Sequence, residues 1–155
     1  MSQMGAKRLT HVRRLRMHSG LAMQSRPSLW IRTAASPSIG FGHLRRALAL
    51  AEILEEAVEP HFLVDSHDRW SRCEAIARGW GHSNFGSTGL WTGVLTPSAI
   101  LVDTRVKRGL TALISGAQER RIPVASIHDL GLNPLPSNVV IDGSLSPGIK
   151  HSRGA

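Results

Sequence analysis

The sequence is poor in the residues that mark several protein classes. It has one cysteine, no tyrosine and only 5% aromatic residues in 155 positions. A lone Cys73 excludes an internal disulfide and with it a disulfide-stapled secreted scaffold, so a reducing, cytoplasmic setting is the expectation. No apolar run approaches the roughly 20 residues that a membrane-crossing helix requires, so no membrane span is predicted. His61, His67, His82 and His128 show no His-x-x-x-His spacing and have no cysteine cluster beside them, so no metal site is predicted. Acid is missing from one region altogether: residues 1–28 carry Lys7, Arg8, Arg13, Arg14, Arg16 and Arg26 and no Asp or Glu.

That last absence explains most of the net charge of +8. Six of the 19 bases sit in residues 1–28, leaving 13 bases against all 11 acids in the remainder, so the leader holds +6 and the rest only +2. A basic patch points to nucleic acid when it lies on a folded face. Here it lies on a Ser-, Arg- and Met-bearing stretch without apolar period. The reading is a flexible leader or an over-called start, with Met4, Met17 and Met23 each offering an alternative start. The composition also suits a transit peptide, whereas a secretory signal lacks its apolar core. Nucleic acid is not the expected partner. The chain as a whole is 41% hydrophobic, enough for one core in a chain of this length.

From residue 29 strands and helices alternate. "LWIRT" (29–33), "HFLV" (61–64), "AILVD" (99–103), "IPVASIHDL" (122–130) and "NVVID" (138–142) read as strands. "HLRRALALAEILEEA" (43–57), "DRWSRCEAIARGW" (68–80) and "GLTALISGAQER" (109–120) read as helices. The first helix should turn Leu44, Leu48, Ala51 and Ile53 or Leu54 inward. The second should turn in Trp70, Cys73 or Ala75, and Ile76 or Ala77, with Cys73 a small buried apolar residue. Residues 79–93 have no clear period. Short Val/Ile/Leu runs between helices predict an α/β domain over residues 29–147, with a Rossmann-like parallel sheet covered on both faces and its first strand central. Residues 148–155 read as a polar tail.

Ligands of such sheets gather at the carboxyl ends of the strands. Four polar features fall there: Gly40-Phe41-Gly42-His43 after the first strand, Asp103-Thr104, His128-Asp129 and Asp142-Gly143-Ser144. Gly40 and Gly42 can take positive φ and leave space for a ligand. The helix that follows presents free N–H groups and a positive dipole end to an anion. His43 in its first turn is favoured as a neutral, base-competent imidazole. No third glycine follows and no Gly-Lys-Ser/Thr, so neither a dinucleotide fingerprint nor a Walker loop is present. No cofactor is predicted. Trp70, Trp80 and Trp91 are expected as packing anchors. Ser115 and Ser126 have no His/Asp partners by sequence order, which leaves hydrolase-triad chemistry unsupported.

"IRTAASPSIGFGHLRRALALAEIL" (31–54) closely resembles the N-terminal segment of the nucleotide-sugar hydrolases of pseudaminic acid biosynthesis and of related spore coat polysaccharide proteins. The residues that fit are Arg32, Ala35, Ser36, Ile39, Gly40, Gly42, His43, Arg46 and the Leu50-Ala51 pair. "LVDTR" and "ASIHDLGLNPLPSNVVIDGSL" resemble later stretches of the same family, so the resemblance covers about residues 29–147. It implies the N-terminal half of a GT-B fold, like that of family 28 glycosyltransferases. It also implies hydrolysis of a UDP-linked diacetamido sugar, with His43 as general base. Ser36, Gly40 and Gly42 would approach the sugar diphosphate, and Asp103 and Asp129 are further substrate-binding candidates. Arg46 would anchor the helix or the site wall. A GT-B enzyme holds its nucleotide chiefly with a second Rossmann-like half, so a separate nucleotide-binding partner is expected for this chain. Ala34 stands where the family has Asp, Arg105 where it has an aromatic residue, and His128 where it has the first of two acids. Two other readings stay open: a non-catalytic sugar-binding or interaction domain, and a nucleic-acid binder using the leader.

Overall fold

The computed structural model describes residues 25–86, 91, 96–128 and 135–142; most of the basic leader, Asp129 and the tail lie outside the described residues. Six strands form one sheet: β1 (Ser28–Thr33), β2 (Glu59–Val64), β3 (Gly81–Asn84), β4 (Ala99–Asp103), β5 (Val124–His128) and β6 (Val139–Asp142). Three helices connect them: α1 (Gly42–Leu54), α2 (Arg69–Ala77) and α3 (Leu110–Glu119). All strand pairs are parallel, in the order β3-β2-β1-β4-β5-β6. This is a Rossmann-like α/β fold, and the chain reverses its direction of travel between β1 and β4. Among the described residues no helix is long and apolar enough to cross a membrane.

The two-residue period of β1 sorts its side chains onto two buried faces. Leu29 and Ile31 join Phe62, Val64 and Leu101 under Leu44, Ala47, Leu48 and Ala51 of α1. Trp30 joins Leu63, Ile100, Val102 and Val124 under Leu110, Leu113, Ile114 and Ala117 of α3. Small Ala47 and Ala51, both fully buried, let α1 lie close on the sheet. Phe62 stacks on Trp80 with centroids 5.6 Å apart and planes at 3°. Trp70 meets Phe41 edge-on and Trp91 packs on Trp30 at 5.5 Å, so all four tryptophans take part in packing.

Several expectations need correction. β3 lies in the stretch read as lacking period. Its sequence, Gly-His-Ser-Asn, has no β-branched or apolar residue, because it is an edge strand held by backbone pairing to β2 alone. Cys73 is exposed, not buried. Of the expected alternatives Cys73 and Ala75, the register of α2 turns Ala75 inward, together with Ser71, which is tolerated there because its hydroxyl donates to the Asp68 carboxylate at 2.7 Å. Ile76 and Ala77 face outward, with Ile76 exposed. Ile53 and Leu54 are 74% and 37% exposed, so the inward stripe of α1 ends at Ala51. α2 stops where Gly79 takes φ +70°, with the Trp80 amide returning to Ala75 O at 3.0 Å.

The two ends of the α1 stripe therefore differ in what truncation costs. Leu48→Ala is expected to lower stability by about 2–5 kcal/mol, and Ile53→Ala by less than about 0.5 kcal/mol. Urea unfolding followed by tryptophan fluorescence measures both; equal losses would place the stripe wrongly.

Candidate functional site

β1 and β4 are neighbours, paired Thr33 to Asp103 at their carboxyl ends. Because β1 leads to α1 on one side and β4 to α3 on the other, their loops diverge and leave a crevice. The β1–α1 loop is fixed before it reaches α1. The Ala35 amide donates to the buried Asp68 carboxylate at 2.8 Å, and the same carboxylate caps α2 through the Ser71 amide at 3.0 Å. Ser36 then closes a turn: its carbonyl accepts from the Gly40 amide at 2.8 Å and its Oγ from the Ile39 amide at 3.1 Å. Gly40 sits at φ +89°, where a side chain would be strained. Its amide serves the turn, so the free N–H expected there is used within the loop. Gly42 is different: a Cβ built on it would meet nothing within 4 Å. Its missing side chain leaves open crevice, not packing room.

His43 is the second residue of α1 and is 9% exposed. Its Nδ1 lies 2.7 Å from Asp103 Oδ1. Arg46, one turn later on the same helix face, donates from Nε to Asp103 Oδ2 at 2.7 Å and from Nη2 to Oδ1 at 2.6 Å. Asp103 is fully buried, so its charge depends on these partners. A carboxylate can only accept, so Nδ1 of His43 carries a proton and donates it to Asp103. The neutral ring then holds its lone pair on Nε2. No hydrogen bond engages Nε2 among the described residues. The arrangement is the carboxylate–imidazole pair that orients a general base, here with a guanidinium balancing the carboxylate. A cavity of about 250 Å³ opens beside it, lined by Ile39, Gly42, His43, Arg46 and Arg105. No side chain caps the first turn of α1, and that turn holds no acid, so its amide groups add positive potential.

The structure thus gathers His43, Gly42 and Asp103 at one crevice. It puts Ser36 and Gly40 in the turn behind them, while Asp129 lies outside the described residues. Sequence reading placed His43 and Asp103 at strand ends but did not pair them. The available signal was Gly-His-x-x-Arg, which aligns a base and a cation on one helix face opposite the Asp that ends an adjacent strand. It also missed Asp68. Ser126 does have a His partner: its Oγ lies 2.8 Å from His128 Nε2 and 2.6 Å from Ser137 Oγ. Ser126 is fully buried, however, and its neighbours Ser137 and Leu135 complete a structural link rather than a nucleophile.

Two further basic side chains stand away from the cavity, with pKa values lowered by burial. Arg32, fully buried, donates to the carbonyls of Thr33 and Leu63 and to Asp65 at 2.9 Å, with its guanidinium 3.9 Å above the Phe85 ring. Burial pushes its pKa down, and Asp65 offsets part of that effect. His61 at the β2–β3 seam is also lowered, by burial and then by nearby His82.

Fold and site together define a Rossmann-like domain with a His–Asp–Arg cluster at its topological switch point. No protein-family model, no curated protein and no solved structure matches this chain.

The two glycines separate turn from cavity. Gly40→Ala is expected to cost about 1–2 kcal/mol, because a side chain is forced into the left-handed region. Gly42→Ala should leave stability within about 0.5 kcal/mol of the parent. Asp103→Ala should cost about 3 kcal/mol, since it strips the buried partner from both His43 and Arg46. Thermal and urea midpoints of the three variants check this order.

Proposed function

We propose that the protein is a nucleotide-sugar hydrolase domain, with the crevice at the β1–β4 switch point as its site. The observation that carries the reading is the Nδ1-to-Asp103 contact of 2.7 Å, which leaves Nε2 of a cavity-lining His43 as a lone-pair acceptor. The likeness of the Gly-x-Gly-His-x-x-Arg turn to pseudaminic-pathway hydrolases and spore coat polysaccharide proteins supplies the substrate class, a UDP-linked amino sugar. On this reading the domain is the N-terminal half of a GT-B pair working in the cytoplasm, with a second Rossmann-like unit gripping the nucleotide across the crevice.

The chemistry is displacement at an acetal carbon. Water held by Nε2 gives up a proton to His43 as its oxygen bonds to the anomeric carbon. The bond from that carbon to the diphosphate oxygen breaks, and its electron pair leaves with UDP. The imidazolium, held by Asp103, returns its proton to solvent. Because the diphosphate is already a good leaving group, positioning water and deprotonating it are the protein's main tasks. A sugar hydroxyl in place of water would make the same base serve glycosyl transfer.

UDP release from UDP-linked N-acetylated amino sugars tests this, using the full chain alone and mixed with a separately produced nucleotide-binding unit. His43→Ala and His43→Asn should each reduce turnover by about 10²–10⁴-fold, the usual cost of losing a general base. Retention of activity by His43→Asn would reduce His43 to a helix-capping role. No release in either arm by the parent protein would overturn the hydrolase reading.

A further inference from the structure

We infer that Arg105 is an anion-binding residue of this crevice that takes the phosphate groups of the ligand. The inference rests on the hydrolase reading for the identity of that ligand, a nucleoside diphosphate sugar, but its physical basis is separate. Two guanidinium groups line the cavity, those of Arg46 and Arg105. Arg46 is balanced, since both its Nε and Nη2 donate to the buried Asp103 carboxylate. Arg105 is not balanced: among the described residues its side chain makes no hydrogen bond and no ion pair. No carboxylate lines the cavity with it among the described residues. Among the described residues the crevice therefore carries one uncompensated positive charge next to an uncapped helix end and next to His43, which is nine-tenths buried and has Nε2 unengaged.

The position of Arg105 is not that of a stray surface cation. It lies two residues beyond Asp103, so the strand that buries the carboxylate also delivers the guanidinium to the rim. The intervening turn is held by the Val106 amide, which donates to Thr104 Oγ1 at 3.1 Å. Lys107 and Arg108 follow in the same loop, yet neither lines the cavity. A guanidinium presents a planar fork of donors that matches two phosphate oxygens at once. The open space over Gly42 is where a phosphate could approach without meeting a side chain. In the cleavage step negative charge grows on the diphosphate oxygen that leaves. A guanidinium on that phosphate would hold the leaving group on one side of the anomeric carbon while His43 serves water on the other.

Pyrophosphate, UDP and uridine are titrated into the full chain by calorimetry at low salt. Pyrophosphate and UDP should bind and uridine should not. Arg105→Ala should weaken both anions at least tenfold, and Arg105→Lys should recover only part of the loss because the charge remains but the fork does not. Arg45→Ala, which removes an equal charge from the exposed side of α1, should change affinity less than threefold. Arg105 is exposed and unpaired, so thermal midpoints of its variants should match the parent, which keeps the comparison clean. Unchanged anion binding in Arg105→Ala, or an equal loss in Arg45→Ala, would overturn the assignment. Arg105-dependent pyrophosphate binding without sugar-nucleotide hydrolysis would sustain the anion site and sink the hydrolase reading. Hydrolysis with KM and kcat unchanged in Arg105→Ala would do the reverse.

Discussion

The buried carboxylate of Asp103 is the constraint on which the site depends. A charge with no exposure costs several kcal/mol unless partners meet it with good geometry. Three donor contacts meet this one, all from the first two turns of α1. The same contacts dock the amino end of α1 on the end of β4, reaching over β1. Ala47 and Ala51, fully buried below them, make that close approach sterically feasible. Orientation of His43 and seating of α1 are thus one interaction. The imidazole cannot rotate away from Asp103 without leaving a buried acceptor short, and α1 cannot lift without exposing the ion pair.

A second buried charge fixes the opposite face. The final residues of β1 diverge, Thr33 toward α1 and Arg32 toward the α3 side. Arg32 bonds two carbonyls and Asp65 while lying on Phe85, which joins the ends of β1 and β2 to the loop before α2. Asp68, three residues after Asp65, holds the Ala35 amide and caps α2. The loop leaving β1 is consequently pinned at Arg32, at Ala35 and again in the Ser36–Gly40 turn. A ligand arriving at Gly42 and His43 would meet a preformed surface, which lowers the ordering cost of binding.

The sheet was legible in the sequence because its central strands are buried on both faces. "LWIRT" and "AILVD" are continuous apolar runs that only a covered parallel strand accommodates. β3 was not legible, since an edge strand of Gly, His, Ser and Asn contributes backbone bonds and no apolar signal. Helix faces were legible in part. In α1 the Leu44–Ala51 stripe is strong, but period alone does not say where the sheet beneath it stops, so it predicts Ile53 or Leu54 inward where both are exposed. In α2 a polar residue, Ser71, takes an inward position because Asp68 satisfies it, and Cys73 is left outside. For the site, the glycine turn and the strand-end acids stood out one by one. Their pairing depends on β1 and β4 being neighbours, and strand order is a long-range property that local pattern does not encode. The tight Ser36 turn illustrates the same limit: the glycines were visible, but only the fold separates Gly40, required by its φ, from Gly42, required by nothing in the packing.

The departures from the hydrolase-like pattern share one electrical direction. Ala34 and His128 stand where that pattern has carboxylates, and Arg105 stands where it has an aromatic ring. Against that pattern the chain carries two fewer acids and one more cation. The structure explains why the acids can be absent. Ala34 is fully packed, so an Asp side chain there would need a new partner, and His128 is committed to Ser126. Asp103 is the acid beside the crevice among the described residues, and it is engaged by His43 and Arg46. Among the described residues no carboxylate pairs with Arg105. A rim with an exposed guanidinium beside the His43 imidazole is matched by a ligand that brings its own negative charge. Such a ligand would supply a countercharge at Arg105, while Asp103 stays engaged by His43 and Arg46.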